Sequence, residues 1–430
     1  MALRRFALLA MVGLLTPAGW LRAQSPATQD AQLKFVVVLT RHGVRSPTGE
    51  AAKYDPYAAL PWPKWEVSPG YLTPHGYKLM ALFGAYDRVW LAEEGLLEPT
   101  GCGDAPYITI LADSDQRTRE TGKAMAEGMF PGCAPDVHAL PEGTHDPLFH
   151  SRGGDAALSA AAIAGRIGGD PNNLTAAFHS QLAALDNILA GCGHAPANPG
   201  KRTSLFDIPA TLTANKGRSR AELRGPLDIA SSLSENLLLE YTDGMPAADV
   251  GWGCVDGARL RELMELHTAA ADYGERTPAI ARTLASGLLD RILAAMEQQV
   301  TGKPVAGAPG KPGDRVLLLA GHDTNIATVA GTLGLRWILD GRRDDTPPGG
   351  ALVFELWRSR TSGDFSVRVA YTAQTLEQMR DASILTLRNP PDRVPVFVPA
   401  CGRPDSSCAW PAFAAAIRDA SESTSAVRTP

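Results

Sequence analysis

The apolar positions follow two regimes along the chain. Near the start, Lys34-Phe-Val-Val-Val-Leu-Thr40 is a continuous β-branched run, the pattern of a strand buried on both faces. Tyr107-Ile-Thr-Ile-Leu-Ala112 and Arg315-Val-Leu-Leu-Leu-Ala320 repeat it. Each run is followed by a polar turn and then by a stretch of helical period, at 73–95, 114–129 and 324–334. Strand-then-helix wiring predicts an α/β sheet. Two later runs, 351–357 and 365–372, predict a hairpin added to it. Between the second and third strands the pattern changes. Residues 155–190 and 228–298 are rich in Ala and Leu at helical spacing, while 191–225 is rich in Gly, Pro, Lys and Arg and reads as loop. The expected organisation is an α/β core from 24–150 and 299–430, with a mainly helical insertion over 151–298. The tail after Ala420 is small and polar and is expected to fray.

The N-terminus is set apart. Arg4 and Arg5 precede an apolar run from Phe6 to Leu15, and Leu21-Arg22-Ala23 is a passable cleavage site. Residues 1–23 therefore read as a signal peptide with cleavage near Ala23/Gln24, and the product as periplasmic or secreted. No later stretch reaches the 18 apolar residues of a bilayer span, so no membrane contact is expected after cleavage.

Composition narrows the class. The chain has 430 residues, 44% hydrophobic and 20% charged, which excludes a disordered or collagen-like chain. Loss of the signal removes three arginines and no acids, moving the net charge from −5 to −8 and arguing against nucleic acid as partner. The six cysteines form no CxxC pair, and an even number in an exported chain predicts three disulfides. The strand at 107–112 travels ~20 Å out and the helix at 114–129 ~24 Å back, which returns Cys102 and Cys133 to one end. Cys401 and Cys408 are close enough in sequence to close a local loop, and Cys192 pairs with Cys254 by elimination.

Three strands end in charged clusters: Arg41-His42-Gly43-Val44-Arg45-Ser46-Pro47-Thr48, Asp113-Ser-Asp115-Gln-Arg117-Thr118 and Gly321-His322-Asp323-Thr324-Asn325. Ligands of open α/β sheets bind beyond the C-terminal ends of parallel strands. If the three strands are neighbours, Arg41, Arg45, Arg117, His42, His322 and Asp323 meet in one cleft. Three guanidinium groups in one pocket call for an anion, and a phosphate dianion matches their forks. In such a pocket His42 suits in-line attack on phosphorus, and Asp323 suits protonation of the leaving alcohol.

Arg-His-Gly-x-Arg-x-Pro with a distal His-Asp resembles the histidine acid phosphatases, closest to the bacterial periplasmic branch that includes phytases and glucose-1-phosphatases. Leu72-Thr-Pro-His-Gly76, Arg117-Thr118, Gly244-Met-Pro246, Gly251-Trp-Gly253 and Thr346-Pro-Pro-Gly-Gly350 add to the resemblance. It implies a three-layer, phosphoglycerate-mutase-like α/β core with a mixed, mainly parallel sheet and a helical insertion. It implies His42 as nucleophile, Asp323 as proton donor, and Arg41, Arg45, Arg117 and His322 as phosphate ligands. Thr48 matches a position near the substrate, and Glu235 and His267 match pocket positions. No metal or organic cofactor is implied, the partner is a small phosphate monoester, and a monomer is the default. Phytases of this branch commonly carry Lys after the Pro-Thr of the signature, where this chain has Gly49.

Two other readings use the same residues. Ile110-Leu-Ala-Asp113-Ser-Asp115 imitates the start of a haloacid-dehalogenase-type, Mg²⁺-dependent phosphatase, although Arg117 would repel the ion. A non-catalytic periplasmic phosphate-ester binding protein would use the arginines without an in-line histidine. His138, His145, His150, His179 and His194 lack metal spacing and read as surface or loop residues, and His75 lies in the Thr-Pro-His-Gly turn with no assigned role.

Overall fold

The computed structural model describes residues 30–151, 153–194, 202–215 and 220–425. The signal peptide expected over 1–23 lies outside them. One mixed sheet organises the chain. It contains β1 (Ala31–Arg41), β2 (Ile108–Ala112), β3 (Val137–His138), β6 (Val316–Gly321), β9 (Ala351–Ser359), β10 (Phe365–Ala373), β11 (Asp392–Val396) and β12 (Ser407–Ala409). Its order is β11-β10-β9-β1-β6-β2-β3, with β12 also on β10. The short pairs β4 (Thr211–Thr213) with β5 (Glu222–Arg224), and β7 (Ile338–Leu339) with β8 (Arg342–Arg343), stand apart from it.

The three strands expected from their apolar runs are present, and they are neighbours. β6 lies between β1 and β2, parallel to both. The sheet as a whole is not mainly parallel. Among the described residues, β1–β6, β6–β2 and β2–β3 are parallel, whereas β1–β9, β9–β10, β10–β11 and β10–β12 are antiparallel. The sequence shows the β9–β10 hairpin, but β3, β11 and β12 are too short or too polar to stand out.

Helices cover both faces. Val36, Val38, Val316 and Leu318 face the helices Pro74–Glu93 and Gln116–Met129. Val37, Leu39, Leu317 and Leu319 face Pro278–Thr301, Asp323–Leu333 and Trp410–Ser425. This alternation is the period of two expected of a strand covered on both sides. A bulge between Leu33 and Phe35 moves Leu33 onto the face of Val36. A separate apolar cluster, containing Ile163, Leu185, Leu237, Leu263 and Ile280, holds the helical segment between β3 and β6 together.

Two expectations are corrected here. The stretch 191–225 is not all loop, since it contains the β4–β5 hairpin and a 3-10 turn at Leu205–Asp207. The C-terminal helix continues to Ser425 rather than fraying at Ala420, because Phe413, Ala414 and Ile417 anchor it under the sheet. The disulfides are Cys102–Cys133, Cys192–Cys254 and Cys401–Cys408, as expected. Among the described residues no helix is long and apolar enough to cross a membrane.

Candidate active site

The register brings the charged clusters together. Arg41 lies opposite Gly321, and Ala112 opposite Ala320. The next residues leave the sheet side by side, with His42 N–H donating to the Gly321 carbonyl at 2.9 Å and Asp113 N–H to Ala320 at 3.0 Å. The chain after His42 is then held by two other segments. Ser46 N–H donates to Tyr71 O at 3.1 Å and Thr73 N–H to Val44 O at 3.0 Å, so the stretch 71–73 braces the Arg45 loop. A Cβ at Gly76 would lie 2.1 Å from Val44 O, and only glycine lets the helix start this close. On the other side, Gly349 N–H donates to His42 O at 3.0 Å.

His42 is buried. Its Nδ1 lies 2.8 Å from the Gly43 carbonyl, which can only accept. The proton is therefore on Nδ1, and Nε2 keeps its lone pair. Burial, then the charges of Arg117, Arg41 and Arg45 with His322 beside them, holds the imidazole well below the ordinary histidine range.

The three arginines converge. Arg41 is fully buried, donates Nη1–H to Thr346 O at 2.6 Å and pairs through Nη2 with Glu235. Arg45 Nη2 reaches both Glu235 oxygens at 3.1 Å. Arg117 pairs with Asp115 at 2.5 Å and lies 3.5 Å from His322 Nδ1. Burial alone would raise the Glu235 carboxyl, but Arg45, Arg41 and His267 outweigh it and keep the group ionised well below the usual range. Thr48 is exposed on the rim beside Gly70, whose carbonyl Arg117 also faces.

Asp323 opens the helix Asp323–Leu333. Its Oδ1 accepts from Thr324 N–H at 2.8 Å, and its Oδ2 faces Arg41 at 3.4 Å and His267 Nε2 at 3.8 Å. Burial raises this carboxyl and Arg41 lowers it further, so the net direction is down. His267 is steadied by Ser231 Oγ, 3.1 Å from its Nδ1. Beyond Asp323 opens a cavity of about 410 Å³ with a mixed lining, polar at Arg220, Arg224 and Glu275 and apolar at Ile163, Leu223 and Leu227.

Every residue singled out from the sequence for the phosphate pocket borders this cleft or its rim, but two contributors were missed. Asp113 is fully buried, and its Oδ2 receives Nε2–H of His322 at 2.5 Å and Nε2–H of His150 at 2.6 Å. Its Oδ1 accepts from Ser114 N–H at 2.8 Å. With both oxygens occupied, it is poorly placed as the nucleophile of a haloacid-dehalogenase-type reaction. His150 lies on a loop with its side chain partly exposed, as expected, and its ring nonetheless touches the site through Asp113. What brings it there is β3, too short to read in the sequence: a strand parallel to β2 delivers its following loop to the same end of the sheet. The Asp113, His150 and His322 atoms are close enough to suggest a metal ligand set, as are those of Glu235, His267 and Asp323. The first set, however, has hydrogen-bond lengths with Arg117 alongside, and the second is paired to Arg41. His75 serves elsewhere, its Nε2–H donating to Met379 O at 2.8 Å.

Comparison with known proteins agrees with this geometry. The sequence profile of the histidine phosphatase superfamily (branch 2) matches residues 32–372. The phytase AppA of Escherichia coli (strain K12) is 35% identical over 407 residues, covering 92% of this chain and 93% of that protein. A glucose-1-phosphatase of Salmonella typhimurium is 30% identical over 410 residues, covering 91% and 93%. Among solved structures, the apo phytase of Hafnia alvei superposes with a TM-score of 0.85 at 34% identity, covering 93% of this chain and 99% of that one.

Proposed function

The chain belongs to the histidine phosphatase superfamily, branch 2, and on that premise we propose that it hydrolyses phosphate monoesters in mild acid through a phosphohistidine, without a metal or organic cofactor. The observation that carries the proposal is the His42 imidazole, committed at Nδ1 to Gly43 O and free at Nε2, buried among three guanidinium groups. Nε2 attacks phosphorus in line while the ester oxygen leaves on the far side. Arg41, Arg45, Arg117 and His322 neutralise the phosphoryl oxygens. Asp323 gives its proton to the leaving alcohol and later takes one from the water that attacks the phosphohistidine, restoring both groups.

The phosphoryl group sets the state of the acid. A dianion at Arg41 draws that cation away from Asp323 and adds negative charge beside it, so the Asp323 carboxyl rises when substrate binds. Glu235 offers the arginines one negative charge where a phosphate dianion offers two, so substrate competes with it for Arg41 and Arg45.

With Asp323 as proton donor, the leaving group would lie toward the cavity beyond it, whose Arg220, Arg224, Asp228 and Glu275 can meet the hydroxyls or further phosphates of a polar alcohol. Relatives carry the names phytase and glucose-1-phosphatase, and phytate and sugar phosphates are the substrates we propose. Lys53 passes close to Gly49, with its Cδ 2.5 Å from where a Cβ at 49 would sit, and brings a cation to that side. Three disulfides suit an oxidising compartment, which supports export to the periplasm or beyond.

The test is chemical trapping. Rapid alkaline quenching during turnover of a ³²P-labelled ester should place acid-labile label on His42, and His42→Ala should carry none. Steady release of phosphate with no label on His42 would overturn the mechanism, and no release from folded protein would favour a binding role. A panel of phytate, glucose 1-phosphate and an aryl phosphate then ranks the substrates.

A further inference from the structure

We propose that His150 is a positioning residue for the phosphoryl pocket: it shares the Asp113 carboxylate with His322, and its proton tightens the hold on that phosphate ligand. The inference rests on the reading of His322 given above.

Asp113 is the hub. Its Oδ2 joins the two imidazoles at 2.5 and 2.6 Å, and its Oδ1 is taken by the Ser114 backbone. The loop carrying His150 is fixed on both sides of that contact. His150 N–H donates to Asp146 O at 2.9 Å, Leu148 N–H to Asp146 Oδ1 at 2.8 Å, and Asn325 Nδ2–H to Phe149 O at 2.7 Å. Asn325 in turn accepts from His322 N–H at 2.9 Å. The loop therefore docks on His322 twice, through its backbone and through its side chain.

The two histidines differ in access. The His322 side chain is 7% exposed and that of His150 is 42%, so His150 exchanges protons with solvent while the rest of the chain of contacts is enclosed. The groups facing His150 are Asp113 at the end of β2, Asp115 at the start of the next helix with Arg117 paired to it, Asp146 and His145 on its own loop, and His322 after β6. Three of these are carboxylates. The hydrogen bond to Asp113 raises the His150 ring above its ordinary value; burial opposes this, and the charges of the three acids reinforce it.

Below that value His150 is a cation in a charge-assisted bond to Asp113, with its ring 5.4 Å from that of His322. Above it, a neutral imidazole donates to the still-ionised Asp113, so the contact loses the attraction between opposite charges and the pocket loses a positive charge. Phosphate binding should therefore weaken as pH rises through the His150 titration, in addition to any effect of Asp323.

The experiment compares wild type, His150→Gln and His150→Phe over pH 4 to 8. It reads kcat/KM for an aryl phosphate and the inhibition constant of inorganic phosphate. His150→Gln keeps a donor to Asp113 but cannot titrate. It should lose about threefold in mild acid, with the gap closing as pH rises. His150→Phe removes the donor and should lose about tenfold or more throughout, mainly in KM and phosphate inhibition. A His150→Gln profile parallel to wild type, whether lowered uniformly or unchanged, overturns the proposal even if the Phe variant fails to fold. Wild type that releases no phosphate would instead defeat the parent reading.

Discussion

At His42 the backbone decides the chemistry. One nitrogen is tied to Gly43 O, and burial with the surrounding cations keeps the other unprotonated into mild acid, when most exposed histidines are charged. Asp323 has the complementary task and must carry a proton when the ester bond breaks. Asp323→Asn keeps the size and removes the proton. It should slow alkyl esters on the order of 10²-fold or more and aryl esters much less, because a good leaving group needs little protonation. Equal losses on both, measured as kcat, would take Asp323 out of that role. The residue scale also shows why Glu235 is ionised: it sits between two arginines that would otherwise repel each other.

Among the elements, helix spacing positions Arg117. The helices Pro74–Glu93 and Gln116–Met129 meet backbone to backbone. A Cβ at Gly128 would lie 1.9 Å from Ala81 O, and one at Gly84 would lie 2.2 Å from Met125 O. The second helix presents Arg117 in its first turn, and its Thr121 Oγ1 accepts from Gly43 N–H at 2.9 Å. Gly128→Ala should drive the pair apart, costing about 1–3 kcal/mol in urea unfolding and weakening phosphate inhibition through Arg117. Gly165→Ala is the control, since a Cβ there meets nothing within 4 Å. That change should be neutral or stabilise by up to about 1 kcal/mol. A Gly128→Ala protein as stable as wild type would contradict the close packing.

Over the whole molecule, buried acids make stability depend on pH in opposing directions. Asp113 is held below the usual carboxylate range despite burial by its two histidines, so its contribution is full above the unfolded value of 3.8 and is lost as pH falls. Glu240, 1% exposed, is pushed by burial to about 8, and Gly251 N–H only partly offsets this. Its ordinary value is 4.5, so the folded state binds its proton more tightly, and the native structure loses about 1.4 kcal/mol for each pH unit climbed between those values. Glu240→Gln preserves an acceptor for Gly251 and ends the titration. Urea unfolding should find it clearly more stable than wild type at pH 7.5 and nearly equal at pH 4.5. No difference at either pH would mean that Glu240 is not the uncompensated group described.

The chain itself declared its central strands, because a β-branched run covered on both faces has no local alternative. It also declared its anion pocket, since Arg41 ends β1 and His42, Arg45 and Arg117 follow strand ends within a few residues. Even the Cys102–Cys133 pair was legible, from the out-and-back length of one strand and one helix. The antiparallel majority in the sheet was not, because pairing direction depends on partners far along the chain. Nor was His150 at Asp113, a contact across 37 residues delivered by a two-residue strand with no periodicity to read. Local pattern fixes what each segment is. Only the packing of β6 between β1 and β2 fixes which segment ends meet, because that adjacency is set by the shared core and by no single stretch of sequence.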